Sequence, residues 1–483
     1  MVNRPNILII QGDEHRFDCI GAYGNADVKT PHLDALAEAG VRYQESFCPL
    51  PVCTPSRYSF LTGLYVHQHL GWSNHCTIPA GMSTFPKVLR EAGYKTKAVG
   101  KMHLTPTYAD VGFDELVLSE QAGQGRYDDD YHRWLKDEGV YDKIDLMDQV
   151  GEYRSGAPQH YWDTVGAMES DLDEAHHSTT WIGDRAVETL EEWDGEGHLL
   201  MASFIKPHHP FDPPAPWSEM YDPNEISLLP GYTDACLPQD LAYSKGFFPY
   251  EDLTEEKIRL ATAMYYGTIS QIDHHVGRMV EVLKRKELYD NTLILYNSDH
   301  GDFVGFHHLL LKGNYMYDPV IKVPLIVKYP GQEDANTVCD RLVNTIDVGP
   351  TILKVAGCDV PDMAGEDLRE VDRSLMFAET GRGNAYMVRS HTRKLLLCKN
   401  EDQSQFFDLE KDPQEMNNVI QDPVYGAEIQ EFREALMRWA LFDFPSKTHL
   451  DEAGSVIEGE NVPDRDDGHR EEMYQYFKSR MRS

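Results

Sequence analysis

The sequence has no apolar run long enough to span a membrane, no Cys-x-x-Cys pair, no internal repeat and no low-complexity tract. Basic residues are also scarce, with 45 Lys and Arg against 80 Asp and Glu and a net charge of −35. Such a balance argues against nucleic acid or an anionic membrane surface as the main partner. The eight cysteines, at 19, 48, 53, 76, 236, 339, 358 and 398, are too scattered over 483 residues for a disulfide framework or a zinc ribbon. Met1-Val2-Asn3-Arg4-Pro5 runs straight into a strand-like segment, so no signal peptide is expected and a cytoplasmic location follows as an expectation. What the chain does have is a 41% hydrophobic content and the length for one large domain plus a smaller one.

Short apolar runs alternate with helical patterns. Asn6–Ile10, Thr96–Val99, Leu199–Ile205, Thr292–Tyr296 and Val323–Val327 read as strands buried on both faces. Thr30–Ala37, Phe85–Ala92, Trp181–Trp193, Glu255–Leu288 and Ile346–Gly357 read as helices between them. This predicts an α/β domain with a large, mostly parallel sheet flanked by helices. Four strands end in polar clusters, Asp13/Glu14, Lys101/His103, Lys206/His208 and Asp299/His300. Open α/β sheets place their functional crevice beyond the carboxyl ends of the strands, so the four clusters should converge. Residues 110–180 are weakly periodic and read as an excursion over that face. The large α/β domain is drawn over 1–374, followed by a small antiparallel sheet with one helix over 375–444 and a charged, extended tail over 445–483.

Cys53-Thr54-Pro55-Ser56-Arg57 follows a turn-rich run and opens a helix, with Thr54 read as the N-cap and Pro55 as the first helical residue. A cysteine at the positive end of a helix, one turn from an arginine, suits a nucleophile that meets an anionic substrate. Asp13, Glu14 and Asp299 together offer oxygen ligands to a hard divalent cation, and His300 would add a nitrogen that favours manganese over calcium.

Cys53-Thr54-Pro55-Ser56-Arg57 with Leu61-Thr62-Gly63 resembles the signature of the type I sulfatases, in the alkaline phosphatase superfamily. Ser298-Asp299-His300-Gly301, Gly100-Lys101-Met102-His103 and Pro207-His208-His209-Pro210 resemble further motifs of that family, as do Lys312 and the run Phe407–Pro413. Asp13-Glu14 stands where the family usually has two aspartates. Gly305-Phe306-His307 departs from the usual Gly-Glu-His, which leaves His307 without an assigned role.

The resemblance implies an alkaline phosphatase-like fold and conversion of Cys53 to formylglycine by a maturation enzyme. It also implies one divalent metal ion (Ca2+ or Mn2+) on Asp13, Glu14, Cys53, Asp299 and His300, and hydrolysis of a small sulfate ester. The hydrated aldehyde would attack sulfur with help from Asp299, while Arg57, Lys101 and Lys312 neutralise the sulfuryl oxygens. His208 would protonate the leaving oxygen, and His103 would take the proton that lets the aldehyde reform. Lys101, His208, Lys312 and Asn74 are the expected substrate contacts, while His67 and His69 read as structural and Lys206 as one half of a salt bridge. A phosphonate monoester or phosphodiester hydrolase of the same superfamily is the alternative, although those relatives tend to carry hydroxyl residues where this chain has Lys101 and His103. A non-catalytic anion-binding protein with unmodified Cys53 is a further one. The charged tail makes a homo-oligomer conceivable.

Overall fold

The first strand, β1 (Asn6–Asp13), is buried at every position and forms the centre of the molecule. Its alternate residues serve two cores. Ile7 and Ile9 join Leu199, Met201, Leu293 and Leu295 on one face, and Leu8 and Ile10 join Leu200, Ala202, Ile294 and Tyr296 on the other. A strand apolar on both faces needs helices on both, which is why these runs show no alternation in the sequence. The helices Phe85–Glu91 and Val348–Val355 cover the first face; Ser178–Glu192 and the 31-residue Glu255–Arg285 cover the second.

The structure, a computed structural model, describes residues 4–446 and 468–481 apart from 80, 242–247 and 314–315. The remaining strands of the large sheet are β2 (Val41–Phe47), β3 (Lys95–Gly100), β4 (Glu115–Leu118), β5 (His198–Pro207), β6 (Thr292–Ser298), β7 (Leu325–Lys328) and β8 (Thr337–Asn344). Their order is β4-β3-β5-β1-β6-β7-β2-β8. Among these strands β7 alone runs against its neighbours β6 and β2. The carboxyl ends of β1, β3, β5 and β6 therefore point the same way, as the strand-end clusters required. No helix among the described residues is long and apolar enough to cross a membrane.

Met376–Glu379 (β9), Ala385–Arg389 (β10), Arg393–Cys398 (β11) and Gln405–Asp408 (β12) form a four-stranded antiparallel sheet. The helix Gly426–Arg438 lays Ile429, Phe432 and Leu436 against Val388, Leu395 and Phe406 on one face of it. The opposite face meets the large sheet through Met376, Met387 and Phe407 against Phe47 and Val320.

Two expectations need correcting. Residues 110–180 are not wholly an excursion, because β4 pairs in parallel with β3 and extends the sheet. Nor is the tail extended where it is described. His469–Met481 is a helix whose Met473 and Phe477 pack on Leu146, and Arg470 pairs with the buried Asp128 at 2.7 Å. Glu471 and Glu472 near its start and Lys478 and Arg480 in its last turn complement the helix dipole. Residues 447–467, also part of that expected tail, lie outside the described residues.

Gly100 ends β3 at φ +97°, and a Cβ there would lie 2.0 Å from the Ser203 carbonyl oxygen of β5. That same oxygen accepts from the Lys101 amide at 2.8 Å, so the glycine lets the chain turn Lys101 into the crevice. Gly100→Ala meets both a backbone clash and an unfavourable φ. It is expected to lower stability by about 2–3 kcal/mol, read as a lower urea midpoint at unchanged m.

Candidate active site

The four strand ends and the start of one helix meet as predicted. The helix Cys53–Thr62 is buried throughout, and its N-cap is Val52 in extended conformation, not Thr54. Thr54 instead sends its hydroxyl to the His103 carbonyl at 2.9 Å, and Pro55 sits within the first turn, where a missing N–H costs nothing. Cys53 is thus the first helical residue, at the positive end of the dipole.

Arg57 projects one turn further along. Its Nε donates to Asp299 Oδ2 and its Nη2 to Asp13 Oδ2, both at 2.9 Å. Its Nη1 donates to the Lys101 carbonyl at 2.5 Å and the Ser203 hydroxyl at 2.8 Å. An arginine committed to two carboxylates and a backbone oxygen is not free to embrace sulfuryl oxygens. It is a positioning residue, and the expected direct contact with substrate is corrected on that ground.

With one oxygen of each carboxylate on Arg57, the other faces inward. Asp13, Cys53, Asp299 and His300 each offer a donor atom, all within 4.8 Å of one another and all buried. Asp299 Oδ1 also accepts from the backbone of Glu14 at 3.1 Å and of His300 at 2.9 Å. His300 Nδ1 lies 3.0 Å from the Gly301 carbonyl, which can only accept, while Nε2 lies 3.3 Å from Cys53 Sγ. A histidine held through its far nitrogen by a backbone carbonyl has the usual orientation of a metal ligand. Two carboxylates, an imidazole and residue 53 fit a divalent cation. Glu14 belongs to an overlapping group with Asp13 and His208, and its Oε1 is buried without a hydrogen-bond partner.

Lysines flank this cluster. Lys101 Nζ lies 2.7 Å from Asp13 Oδ2, and Lys312 Nζ lies 2.9 Å from Glu14 Oε2. Burial pushes the Cys53 thiol up, but Lys312, Lys101 and His300 outweigh it and hold the thiol well below its usual value. Burial and Cys53 raise Asp13, yet Lys101, His208 and Arg57 together keep it strongly acidic. Burial works against the charged form of His300, and Asp299 reverses this, lifting it to about 9.

His208 carries its proton away from the crevice. Its Nδ1 is 2.6 Å from the His209 carbonyl, so Nε2 is the bare nitrogen and accepts from Lys312 at 2.5 Å. Burial, followed by Lys312, depresses its pKa. The proton between the two side chains therefore sits on Lys312, and His208 presents its bare nitrogen to it.

Other residues fall where their chemistry places them. Lys206 leaves the cluster and pairs with buried Asp212. His67 binds Glu379 at 2.8 Å and His69 binds Ser59 at 2.8 Å, both structural. His307 is held by Asp240 and the Gln414 carbonyl, which settles its role as structural. Asn74 accepts from the Thr54 amide at 3.2 Å and so touches the helix start.

Sequence reasoning missed Ser203 and Glu120. Ser203 was findable as a polar residue inside the apolar run of β5. Glu120 was not, since it lies in the weakly periodic stretch. It accepts from the amides of Met102 and His103 at 2.9 and 2.8 Å. These bonds hold His103 at φ +53°, as the Asp299 bond holds Glu14 at φ +67°. Left-handed backbone at two non-glycine site residues is strain that the surrounding contacts must overcome.

The sulfatase family model matches residues 5–358, and the chain belongs to that family, whose members are sulfuric ester hydrolases. It is 29% identical over 476 residues to an arylsulfatase of Clostridium perfringens, covering 90% of this chain and 94% of that one. It is 26% identical over 490 residues to an N-acetylglucosamine-6-O-sulfatase of Bacteroides thetaiotaomicron, covering 90% and 86%. In fold it resembles the phosphonate monoester hydrolase of Agrobacterium radiobacter, with a TM-score of 0.75 and 24% identity over 93% of this chain and 99% of that one.

Removing Arg57 leaves two buried carboxylates facing each other. Arg57→Ala is expected to cost about 3–5 kcal/mol of stability, measured by urea unfolding.

Proposed function

We propose that this sulfatase hydrolyses a sulfate monoester with a formylglycine made from Cys53, on a site that holds one divalent cation. The observation that carries this reading is the convergence of Cys53, Asp13, Asp299 and His300 within one buried 4.8 Å group flanked by Lys101 and Lys312. A maturation enzyme would supply the aldehyde, whose hydrate provides the nucleophile. When bound, the cation supplies Lewis-acid polarisation and helps the nucleophile ionise near neutral pH. Asp13, Asp299 and His300 would hold it, with Glu14 completing the oxygen set, and it is Ca2+ or Mn2+, the imidazole weighing towards manganese.

The chain's own residues do the rest. Arg57 fixes both carboxylates so that neither must reorganise during the reaction. Lys101 and Lys312 neutralise the charge that builds on the sulfuryl oxygens. Lys312 and His208, 2.5 Å apart, pass a proton to the departing alcohol oxygen. His103, beside residue 53, accepts the proton whose removal regenerates the aldehyde.

The test is mass spectrometry of the peptide spanning position 53 from protein co-produced with a maturation enzyme, followed by turnover of an aryl sulfate and an aryl phosphodiester. An aldehyde in place of the thiol and a preference for the sulfate are expected. An intact thiol despite competent maturation, or preference for the phosphodiester, would sink the reading. In the matured protein His208→Ala is expected to lower kcat about 10²- to 10³-fold. Chelation should abolish turnover and lower Tm, both returning with added Ca2+ or Mn2+.

A further inference from the structure

Gln121 follows β4 and is 1% exposed. Its neighbours Glu120 and Ala122 line a cavity of about 310 Å³ beside Asn74 and His103, whereas Gln121 does not and meets Lys101 instead. Its partners decide how the carboxamide is turned. Nε2 lies 2.9 Å from Asp145 Oδ1 and 2.9 Å from the His209 carbonyl. Burial raises Asp145, but Arg126 and then Lys206 overcome this and hold the group at about 2, so it is a carboxylate. A carboxylate and a carbonyl only accept, and the two protons of the amide nitrogen meet them. Oε1 is thereby left facing Lys101 Nζ, at 3.4 Å. The backbone is fixed as well, because Arg126 Nε donates to the Gln121 carbonyl at 2.8 Å while Nη2 pairs with Asp145.

Both ends of this amide reach groups that the reaction uses. Lys101 carries three N–H donors on a flexible stem. Asp13 takes one at 2.7 Å, which sets a distance but leaves the ammonium free to swing about it. Gln121 takes a second and fixes the direction, and as a neutral group it leaves the positive charge uncancelled. The third N–H has no partner among the described residues and remains for a sulfuryl oxygen. The other limb runs through the His209 carbonyl. That oxygen accepts from His208 Nδ1 at 2.6 Å and so decides which nitrogen of His208 is bare. Gln121 Nε2 and Gln149 Nε2, at 2.9 and 3.0 Å, pin it in place. Without them the peptide is free to tilt, and the imidazole with it. One buried side chain thus touches the lysine that follows β3 and, through one peptide, the histidine that follows β5.

We propose that Gln121 is a positioning residue for the hydrolysis, holding the Lys101 ammonium directly and the His208 imidazole through the His209 carbonyl. This rests on the sulfate-ester reading above.

The experiment measures kcat and KM of the matured full-length enzyme on 4-nitrophenyl sulfate, whose alcohol leaves readily, and on phenyl sulfate, whose alcohol needs the proton more. Gln121→Met is made alone and together with Lys101→Ala or His208→Ala. Gln121→Glu, of unchanged size but without the donor for the His209 carbonyl, is a second variant expected to give the same pattern, and thermal unfolding checks that each protein is folded. Alone, Gln121→Met should lower kcat about ten-fold on 4-nitrophenyl sulfate and about 100-fold on phenyl sulfate, with KM moved less than about three-fold. Beside Lys101→Ala the loss on 4-nitrophenyl sulfate should shrink to about two-fold. Beside His208→Ala the additional loss on phenyl sulfate should vanish. A residue that only supports the fold would multiply its loss equally into every background, and that result would overturn the proposal. So would coupling to only one of the two partners, or an effect confined to KM or to Tm. If aldehyde-bearing protein turns over neither sulfate, the sulfate-ester reading has failed and the proposal with it; turnover of both with multiplicative losses refutes the proposal alone.

Discussion

The bridge from Arg57 to Asp13 and Asp299 is the interaction on which the active face depends. Asp13 ends β1 and Asp299 follows β6, strands paired side by side, so their carboxylates are brought close by the sheet itself. Two buried carboxylates at that distance would repel strongly, and burial already disfavours their ionised forms. A single planar guanidinium solves both difficulties, with one N–H on each carboxylate at 2.9 Å. Because each carboxylate gives Arg57 one oxygen, the remaining ones are held facing Cys53 and His300. A lysine there could not reproduce the fork, and its point charge would leave the carboxylates free to rotate. The arginine's Nη1 then reaches the carbonyl of Lys101 and the hydroxyl of Ser203, tying β3 and β5 into the same arrangement. One side chain therefore couples the nucleophile's helix to four strand ends.

The global charge makes this local arrangement more demanding. A chain of net charge −35 repels anions at long range, and a sulfate ester is an anion. Close to residue 53, however, Lys101, Lys312, Arg57 and a helix N-terminus act within a few ångströms in surroundings that exclude water, where interactions are far less screened than at the surface. Proximity thus outweighs total charge. The same burial explains why these cations need carboxylate partners even where substrate is absent. Lys312 rests on Glu14 and His208, and Lys101 on Asp13, so the lysines are desolvated but not unpaired.

How much of this was legible in the sequence follows from what each residue does. Asp13, Lys101, His208 and Asp299 sit immediately after runs of buried β-residues, and strand ends are visible because apolar runs stop abruptly. The Cys53 motif was legible because its residue types are unusual together. The cap was misread because Thr54 and Pro55 fit a common pattern, while here Thr54 has a tertiary partner in His103 that no local rule reveals. Arg57 was identified as important but given the wrong partners; only the fold shows that two carboxylates reach it before a substrate does. Glu120 acts through backbone amides seventeen and eighteen residues away, a contact without any spacing signature. The His469–Met481 helix is stabilised by Met473 and Phe477 on Leu146, a tertiary packing that a highly charged sequence conceals.

These differences separate the chemistry from the choice of substrate. The groups that handle the sulfate end stand on strand ends and one helix start, positions the sheet holds rigidly. Those around the neighbouring cavity come from the segment carrying Asn74, from the loops after β3 and β4 and from the His469–Met481 helix, elements outside the sheet's centre. Loops tolerate change that a sheet centre does not, so substrate selection can vary while the reaction persists. The two parts meet at His103, whose side chain faces the nucleophile and whose backbone is held by Glu120. The lining of the cavity and the surroundings of residue 53 therefore share that one strained backbone position.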